Sequence, residues 1–247
     1  MKKLFVMTLA AMALIGCQKA DTNPFFNYKN WDTPHGTYPF EEIKTEHFMP
    51  AFEQAFAEGY AEIDSIVANP EAPTFENTIV ALDEAGEMLN CVAGCFYNLT
   101  HSETNEQLQA LEQELSPKMS EYSTSIILNE GLFARVKAVY EQRDQLTLTA
   151  DQKELLQDTY DSFANNGANL DAEAKEKYRE LTSRLSKLTL TYGQNVLKAT
   201  NAWTKLITDE ALLQGLSDDT KAMMKANAEK KGEQGWLLDL KPTTYRP

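Results

Sequence analysis

Histidine spacing decides whether this chain could hold a catalytic zinc ion. Two imidazoles at positions i and i+4 project from one helix face, and in a His-Glu-x-x-His helix they bind zinc while the glutamate activates water. The sequence has three histidines, His35, His47 and His101, and none of them is followed at i+4 by another. His101 is followed by Ser102 and not by glutamate. The sequence therefore predicts no zinc site of this kind in the chain.

Glu46, His47 and His101 have simpler explanations at helix ends. The sequence predicts a helix start near Glu46 and His47, and a helix end near His101. An acidic residue near an N-terminus and a cation near a C-terminus both interact favourably with the helix dipole. Contact of Glu46 and His47 with a ligand stays open as an alternative.

Cys91 and Cys95 are the next pair of residues whose side chains could react or bind a metal. On a helix their i, i+4 spacing makes a disulfide geometrically marginal, and the bond would close almost no loop. A Cys-x-x-x-Cys pair without a nearby histidine or further cysteine is a poor zinc site. We interpret the two residues as small buried thiols, a common environment for free cysteine.

The third cysteine, Cys17, belongs to a different pattern. Lys2 and Lys3 precede a short apolar run, residues 4–15, and Leu14-Ile15-Gly16-Cys17 resembles a bacterial lipoprotein processing box. The run is too short to span about 30 Å of hydrocarbon. We therefore predict that residues 1–16 are a signal peptide and that Cys17 is lipidated. A buried amino-terminal helix with an incidental cysteine is the alternative.

This prediction implies a location in the cell envelope. The lipid on Cys17 would anchor the chain to a membrane, and Gln18 after the cysteine resembles sequences sorted to the outer membrane. We expect a lipid-anchored protein at the outer membrane or the periplasmic face. Which face of the membrane carries it, and its oligomeric state, do not follow from the sequence.

The net charge excludes one class of partner. The formal charge is −14, and it becomes −16 when Lys2 and Lys3 leave with the signal peptide. Nucleic-acid binding requires Lys and Arg clustered on one face, so we predict no nucleic-acid partner. The acidity favours solubility.

A series of short segments forms the strongest signal after residue 38. The segments are residues 39–44, 46–52, 69–78, 96–99, 129–143, 194–196, 200–203 and 215–217. Together and in this order they resemble the peptidyl-dipeptidases (dipeptidyl carboxypeptidases) and the oligopeptidases related to thimet oligopeptidase, a family of zinc metallopeptidases. The resemblance extends from about Tyr38 to Pro247, and the dipeptidyl carboxypeptidase branch fits best.

The resemblance implies a role without catalysis for this chain. Members of the family carry the His-Glu-x-x-His helix and its zinc in the second half of a much longer polypeptide, so the chain resembles the amino-terminal part. The complete polypeptide would hydrolyse short peptides and release dipeptides from their carboxyl ends. This part would form one wall of the cleft that admits those peptides. A stand-alone, lipid-anchored helical protein that binds peptides without catalysis is the alternative.

Hydrophobic periodicity predicts the elements that build this wall. Residues 38–200 show apolar stripes with helical spacing, beginning with Phe52, Phe56 and Tyr60. Thr74 is predicted to cap a second helix that extends to about Leu99, and capping boxes at residues 104–107 and 149–152 predict two more helix starts. The fold class is therefore mainly α, a multi-helix bundle that forms one half of a cleft-type peptidase, with two short β-strands near the C-terminus.

The longest predicted helix runs from Asp171 to about Ala199. It carries a stripe that we interpret as core because its spacing is typical of a packed helix face. The members of the stripe are Tyr178, Leu181, Leu185, Leu188, Tyr192 and Val196.

The regions on either side of the bundle differ from it in composition. Residues 17–37 are rich in Asn, Asp, Pro and Gly, which predicts a tether, although the aromatic residues among them could dock on the protein or on a bilayer. Residues 201–247 are predicted to begin a small α+β subdomain, with strands at 203–207 and 236–240. Two such strands need a partner sheet or a cover, which leads us to expect an incomplete subdomain.

Overall fold

The computed structural model describes residues 23–241, and most of them are helical. The α-helices are α1 (Thr45–Ala68), α2 (Ala81–Glu84), α3 (Glu87–Ser102), α4 (Glu106–Ile127), α5 (Glu130–Glu141), α6 (Ala150–Asn165), α7 (Ala172–Ala202) and α8 (Asp218–Lys230). A π-helical turn (Phe75–Val80), short 3-10 turns (Pro24–Asn30, Pro34–Gly36, Arg143–Gln145, Glu210–Leu213) and two strands, β1 (Thr204–Ile207) and β2 (Trp236–Asp239), complete the set. The predicted mainly α fold with two short strands is confirmed.

The first apolar core lies between α1, α3 and α4. Phe48 and Phe52 of α1 pack against Phe96 of α3, with ring centroids 5.1 and 5.6 Å apart. Leu115 and Tyr122 of α4 belong to the same buried cluster. The apolar residues of α1 recur every three to four positions, so one side of the helix faces this core.

The second core continues along α1 and joins it to α5, α6 and the π-helical turn. Ile63 of α1, Ile79 of the turn and Val136 of α5 are buried there. The rings of Phe133 and Phe163 stack with centroids 5.8 Å apart and connect α5 to α6. Because α1 contributes to both cores, it is the central helix of the bundle.

Residues 17–37, predicted as a tether, are packed against the first core where the structure describes them. Phe25 is fully buried, and its ring lies 5.4 Å from that of Phe48. The indole Nε1 of Trp31 donates to the carbonyl oxygen of Pro24 at 2.9 Å, which holds the turn together. The tether boundary at residue 37 is therefore corrected. An aromatic ring is more stable in the apolar core than in water, so this segment docks on the protein.

The helix predicted from Thr74 to Leu99 is interrupted. Thr74 does cap it, since its hydroxyl oxygen accepts the N–H of Asn77 at 3.0 Å. The chain then leaves helical geometry between α2 and α3, where Gly86 has a left-handed φ of +80°. The N–H of Gly86 donates to the Glu62 carboxylate at 2.7 Å, so a side chain of α1 stabilises the break. Glycine adopts this conformation without the steric cost of a Cβ.

Two predicted capping boxes have different outcomes. The helix expected to begin at Thr104 and Gln107 is capped one residue later, because the Asn105 side chain accepts the N–H of Gln107 at 3.0 Å. Both residue types are good caps, and the sequence alone does not choose between adjacent ones. At Thr149 and Gln152 the reciprocal capping box is present, and the prediction is confirmed.

The two strands pair with one another. They form an antiparallel ladder in which Thr204 lies opposite Asp239. Helix α8 contacts β2, and Met224, Ala228 and Leu237 are buried there. The cover that two short strands require thus includes α8.

The chain divides into two compact units, and the division does not follow the predicted boundary. We placed it between residues 200 and 201, whereas the described residues up to Arg179 form one unit and those from Glu180 form the other. The division falls inside α7, and the one buried side chain of this helix, Lys175, belongs to the first unit.

Candidate functional site

The one predicted site residue, Cys17, lies outside the described residues. Within residues 23–241 no group of three or more His, Cys, Asp or Glu side chains is placed to hold a metal ion. In the same residues no helix is long and apolar enough to cross a membrane.

The three histidines occupy structural positions. His47 is buried in the first turn of α1, and its Nδ1 accepts the backbone N–H of Lys44 at 3.1 Å. His101 lies in the last turn of α3 and hydrogen bonds through Nδ1 to the Tyr97 carbonyl oxygen. His35 is exposed in a short turn with a φ of +60°. His47 and His101 thus contribute to helix ends.

Cys91 and Cys95 are free thiols on α3, as the sequence predicts. Cys95 is buried in the first core and Cys91 is half-buried. Burial, with a smaller effect of the Glu87 carboxylate, raises the pKa of Cys91 to about 11. Burial and then the neighbouring Cys91 raise the pKa of Cys95 to about 12. Since the thiolate is the nucleophile and the metal ligand, both residues are unreactive at neutral pH.

This protection predicts slow alkylation. At pH 8 a thiol with a pKa of about 11 has roughly a hundredfold less thiolate than one with the ordinary value of 9. We expect iodoacetamide to modify Cys91 in folded residues 18–247 about a hundredfold more slowly than in urea. Mass spectrometry would follow the modification. A raised pKa also means that the rate rises about tenfold per pH unit between pH 8 and 10, so a rate that levels off near pH 9 would contradict the assignment.

A buried cation fixes the loop that leads into the π-helical turn. Arg135 of α5 is almost fully buried, and its Nη1 donates to the carbonyl oxygens of Asn69 and Glu71 at 2.9 and 3.2 Å. Its Nη2 donates to Oδ1 of Asn77 at 3.1 Å. Arg135 thereby ties residues 69–77 to the second core.

A second buried cation lies at the start of α7. The ammonium group of Lys175 contacts the Glu130 carboxylate at 2.8 Å, and the lysine side chain is buried while the glutamate is exposed. The hydrogen bond from Lys175, and then its charge, lower the pKa of Glu130. This pair joins the N-terminal ends of α5 and α7, and both residues lie in the first unit.

Sequence reasoning missed both cations as structural residues. Arg135 follows Leu132 at i+3 and precedes Val139 at i+4, so it interrupts the apolar stripe of its helix. Lys175 lies three residues before Tyr178, on the stripe of α7. A charge within an apolar stripe is the signal that could have identified them, because long charged residues are rarely buried without a partner.

The stripe predicted as core on α7 is exposed except at Tyr178, which is half-buried. We call Leu181, Leu185, Leu188, Tyr192 and Val196 the apolar face of α7. Their exposed fractions range from 46% for Val196 to 72% for Tyr192. The spacing correctly indicated an amphipathic helix, but it does not tell whether the residues that cover the stripe lie in the same chain. Five large apolar side chains along one helix face indicate an interaction surface.

Comparison with known proteins assigns the chain to a family. It is 34% identical to the dipeptidyl carboxypeptidase of Escherichia coli (strain K12) over 226 residues, which cover 91% of this chain and 33% of that enzyme. It is 35% identical to oligopeptidase A of Salmonella typhimurium over 209 residues, which cover 85% of this chain and 31% of that protein. The chain belongs to the thimet oligopeptidase-like family of metallopeptidases. No protein-family model matches it.

Length separates this member of the thimet oligopeptidase-like family from its relatives. The chain spans about a third of the length of the curated relatives it matches. The match to the dipeptidyl carboxypeptidase leaves less than a tenth of this chain uncovered, so it includes helices of the first unit and parts of the second. Relatedness thus extends over both units.

Proposed function

We propose that this chain is the non-catalytic, amino-terminal portion of a zinc metallopeptidase that hydrolyses short peptides and releases dipeptides from their carboxyl ends. The observation that carries the proposal is the 34% identity to a dipeptidyl carboxypeptidase over 91% of this chain but only 33% of that enzyme. The three histidines of the sequence do not form a His-Glu-x-x-His motif, so the chemistry belongs to the remainder of the polypeptide.

The described residues, 23–241, do not provide a ligand set for zinc. The Nδ1 of His47 already accepts the backbone N–H of Lys44, and residues 23–241 contain no cluster of potential ligands. In the complete polypeptide, bound zinc would polarise the scissile carbonyl and activate water. We expect this chain to contribute a wall of the cleft and no catalytic group.

The helical bundle is suited to form a wall. Its two apolar cores share α1, and Arg135 holds the loop at residues 69–77 in place. A rigid wall beside a narrow cleft excludes folded proteins and positions extended peptides, which lowers the entropic cost of reaching the reactive geometry. The chain therefore contributes substrate selection.

The direct test is an activity assay. Purified residues 18–247 are expected to show no turnover of an internally quenched peptide in the presence of added zinc, because their sequence lacks the His-Glu-x-x-His motif that binds zinc and activates water. The Escherichia coli dipeptidyl carboxypeptidase in the same buffer is the positive control. Turnover by residues 18–247 that a chelator abolishes would refute the assignment of the chemistry to another part of the polypeptide.

A stand-alone, lipid-anchored peptide-binding protein is the second candidate function. The processing box that ends at Cys17 favours it, because it gives the chain its own route to a membrane. Reading the DNA downstream of the codon for Pro247 distinguishes the two functions. An in-frame His-Glu-x-x-His supports the peptidase, and an immediate stop codon supports the binding protein.

We also propose that lipid on Cys17 anchors the protein at the outer membrane or the periplasmic face. Cys17→Ser removes the acceptor thiol, so the variant is expected to move from the membrane fraction to the soluble fraction. Immunoblots of the fractionated cells would measure the distribution, with Cys91→Ser as the matched control that keeps its anchor. A Cys17→Ser protein that still sediments with membranes would exclude lipidation as the anchor.

A further inference from the structure

Helix α7 lacks the packing that normally sustains a helix of its length. It has 31 residues, and Lys175 is its only buried residue. Most of the stability of a helix in a protein comes from burying one apolar face, and propensity alone contributes little. The apolar face of α7 is instead exposed, with Leu185 at 63% and Leu188 at 56%. The helix therefore requires a surface that covers this face.

We propose that the apolar face of α7 is the docking surface for the part of the peptidase polypeptide that this chain does not match. The inference rests on the proposed function, because that function supplies the occupant. The dipeptidyl carboxypeptidase relative is about three times as long as the matched region, so about two thirds of its length has no counterpart here. A segment of that remainder covers the face.

The geometry of the apolar face of α7 predicts that the segment covering it has an apolar stripe of its own. The five residues of the face follow one another at spacings of four, three, four and four. They form a ridge about 22 Å long at 1.5 Å per residue, and such ridges pack into the grooves between side chains of a second helix. The occupant is therefore a helix of about four turns that presents its own apolar stripe to α7.

The net charge argues against a second copy as the occupant. Two copies of this chain would bring together two formal charges of −14, and like charge of this size opposes close association. A segment within one polypeptide avoids this cost because the connection holds the two surfaces at high effective concentration.

Co-expression provides the test. Residues 18–247, which lack the predicted signal peptide and lipidated cysteine, would be produced in the same compartment as the tagged remainder of the Escherichia coli dipeptidyl carboxypeptidase, the part outside the matched region. We expect the two polypeptides to purify as a 1:1 complex. Hydrogen exchange at residues 181–196 is expected to be at least tenfold slower in the complex than in the isolated chain, because docking suppresses local opening.

Two pairs of substitutions test whether the apolar face of α7 forms the interface. Leu185→Gln with Leu188→Gln removes two large apolar groups and keeps helix propensity, so the recovered complex is expected to fall at least about tenfold. Lys187→Gln with Lys198→Gln changes two exposed positions of the same helix outside the apolar face and is the matched control. Circular dichroism of each isolated variant verifies that the bundle is folded.

Each outcome decides the assignment. Failure to form a complex, or a complex that the leucine variant forms as well as the unchanged chain, would overturn it. Sedimentation that shows a dimer of the isolated chain, lost in the leucine variant, would assign the face to a second copy instead. Peptide binding to the isolated chain that the leucine variant loses would make the face a substrate site. Chelator-sensitive turnover by a complex that forms despite the leucine substitutions would leave the proposed function standing and exclude this docking surface.

Discussion

Phe96→Ala is expected to lower the free energy of unfolding of the helical unit by about 4 kcal/mol, because a fully buried phenylalanine leaves both lost apolar contact and a cavity. Phe96 is completely buried on α3. Its ring lies edge-on to Phe48 and Phe52 of α1 at centroid distances of 5.1 and 5.6 Å. The substitution thus removes the contact that joins α3 to the central helix.

Urea unfolding followed by far-UV circular dichroism would measure this loss. Phe26→Ala is the matched control, because Phe26 is 49% exposed and its removal is expected to change the stability by no more than about 0.5 kcal/mol. Phe96→Leu keeps most of the volume and is expected to cost about 1–2 kcal/mol. A Phe96→Ala loss below about 1 kcal/mol would show that the α1–α3 contact does not organise the bundle.

The sequence predicted those features that depend on neighbouring residues. Helix α1, the capping box at Thr149 and Gln152 and both strands follow from local spacing and residue type, and the structure has all of them. Of the predicted stripe of α1, Phe52 is buried and Phe56 is half-buried, whereas Tyr60 is 37% exposed. The prediction that no catalytic residue lies in this chain depended on the family resemblance and on the absence of the His-Glu-x-x-His spacing. It stays a prediction, since it concerns activity.

The features that the sequence did not predict depend on contacts between residues that are far apart in the chain. The break between α2 and α3 depends on Glu62 of α1, which lies 24 residues before Gly86. Phe25 is buried because Phe48 faces it across the first core, although the composition around Phe25 is typical of a tether. Periodicity does not reveal such partners, because it reports which side of a helix is apolar and not what covers that side.

The candidate site shows the same limit. Leu185 and Leu188 have the spacing of core residues but are exposed, whereas Arg135 and Lys175 are charged and buried. Whether each of these side chains is buried depends on the group that it contacts elsewhere in the protein. Arg135 reaches carbonyl oxygens 64 and 66 residues away, and Lys175 reaches a carboxylate 45 residues away. For the apolar face of α7, the proposed partner lies in another part of the peptidase.

Arg135→Met is expected to destabilise the helical unit by about 2–3 kcal/mol. The methionine fills much of the space of the arginine stem but cannot donate, so the Nη1 bonds to Asn69 and Glu71 and the Nη2 bond to Asn77 are lost. Hydrogen bonds from a charged donor contribute about 1.5–3 kcal/mol each, and relief of the buried charge offsets part of that sum. The loss falls on the loop at residues 69–77.

Two measurements distinguish a local hydrogen-bond network from general packing. Urea unfolding gives the change in free energy, and hydrogen exchange is expected to accelerate at residues 69–78 more than in α3, because only the former are held by Arg135. Lys137→Met on the same helix is the matched control, since Lys137 is exposed and its 3.9 Å pair with Glu141 contributes little. Arg135→Lys keeps the charge but loses the planar fork, so its cost should lie between the two. If Arg135→Met is as stable as Lys137→Met, or if exchange at residues 69–78 is unchanged, the carbonyl oxygens of this loop do not depend on Arg135, and the second core alone holds the loop in place.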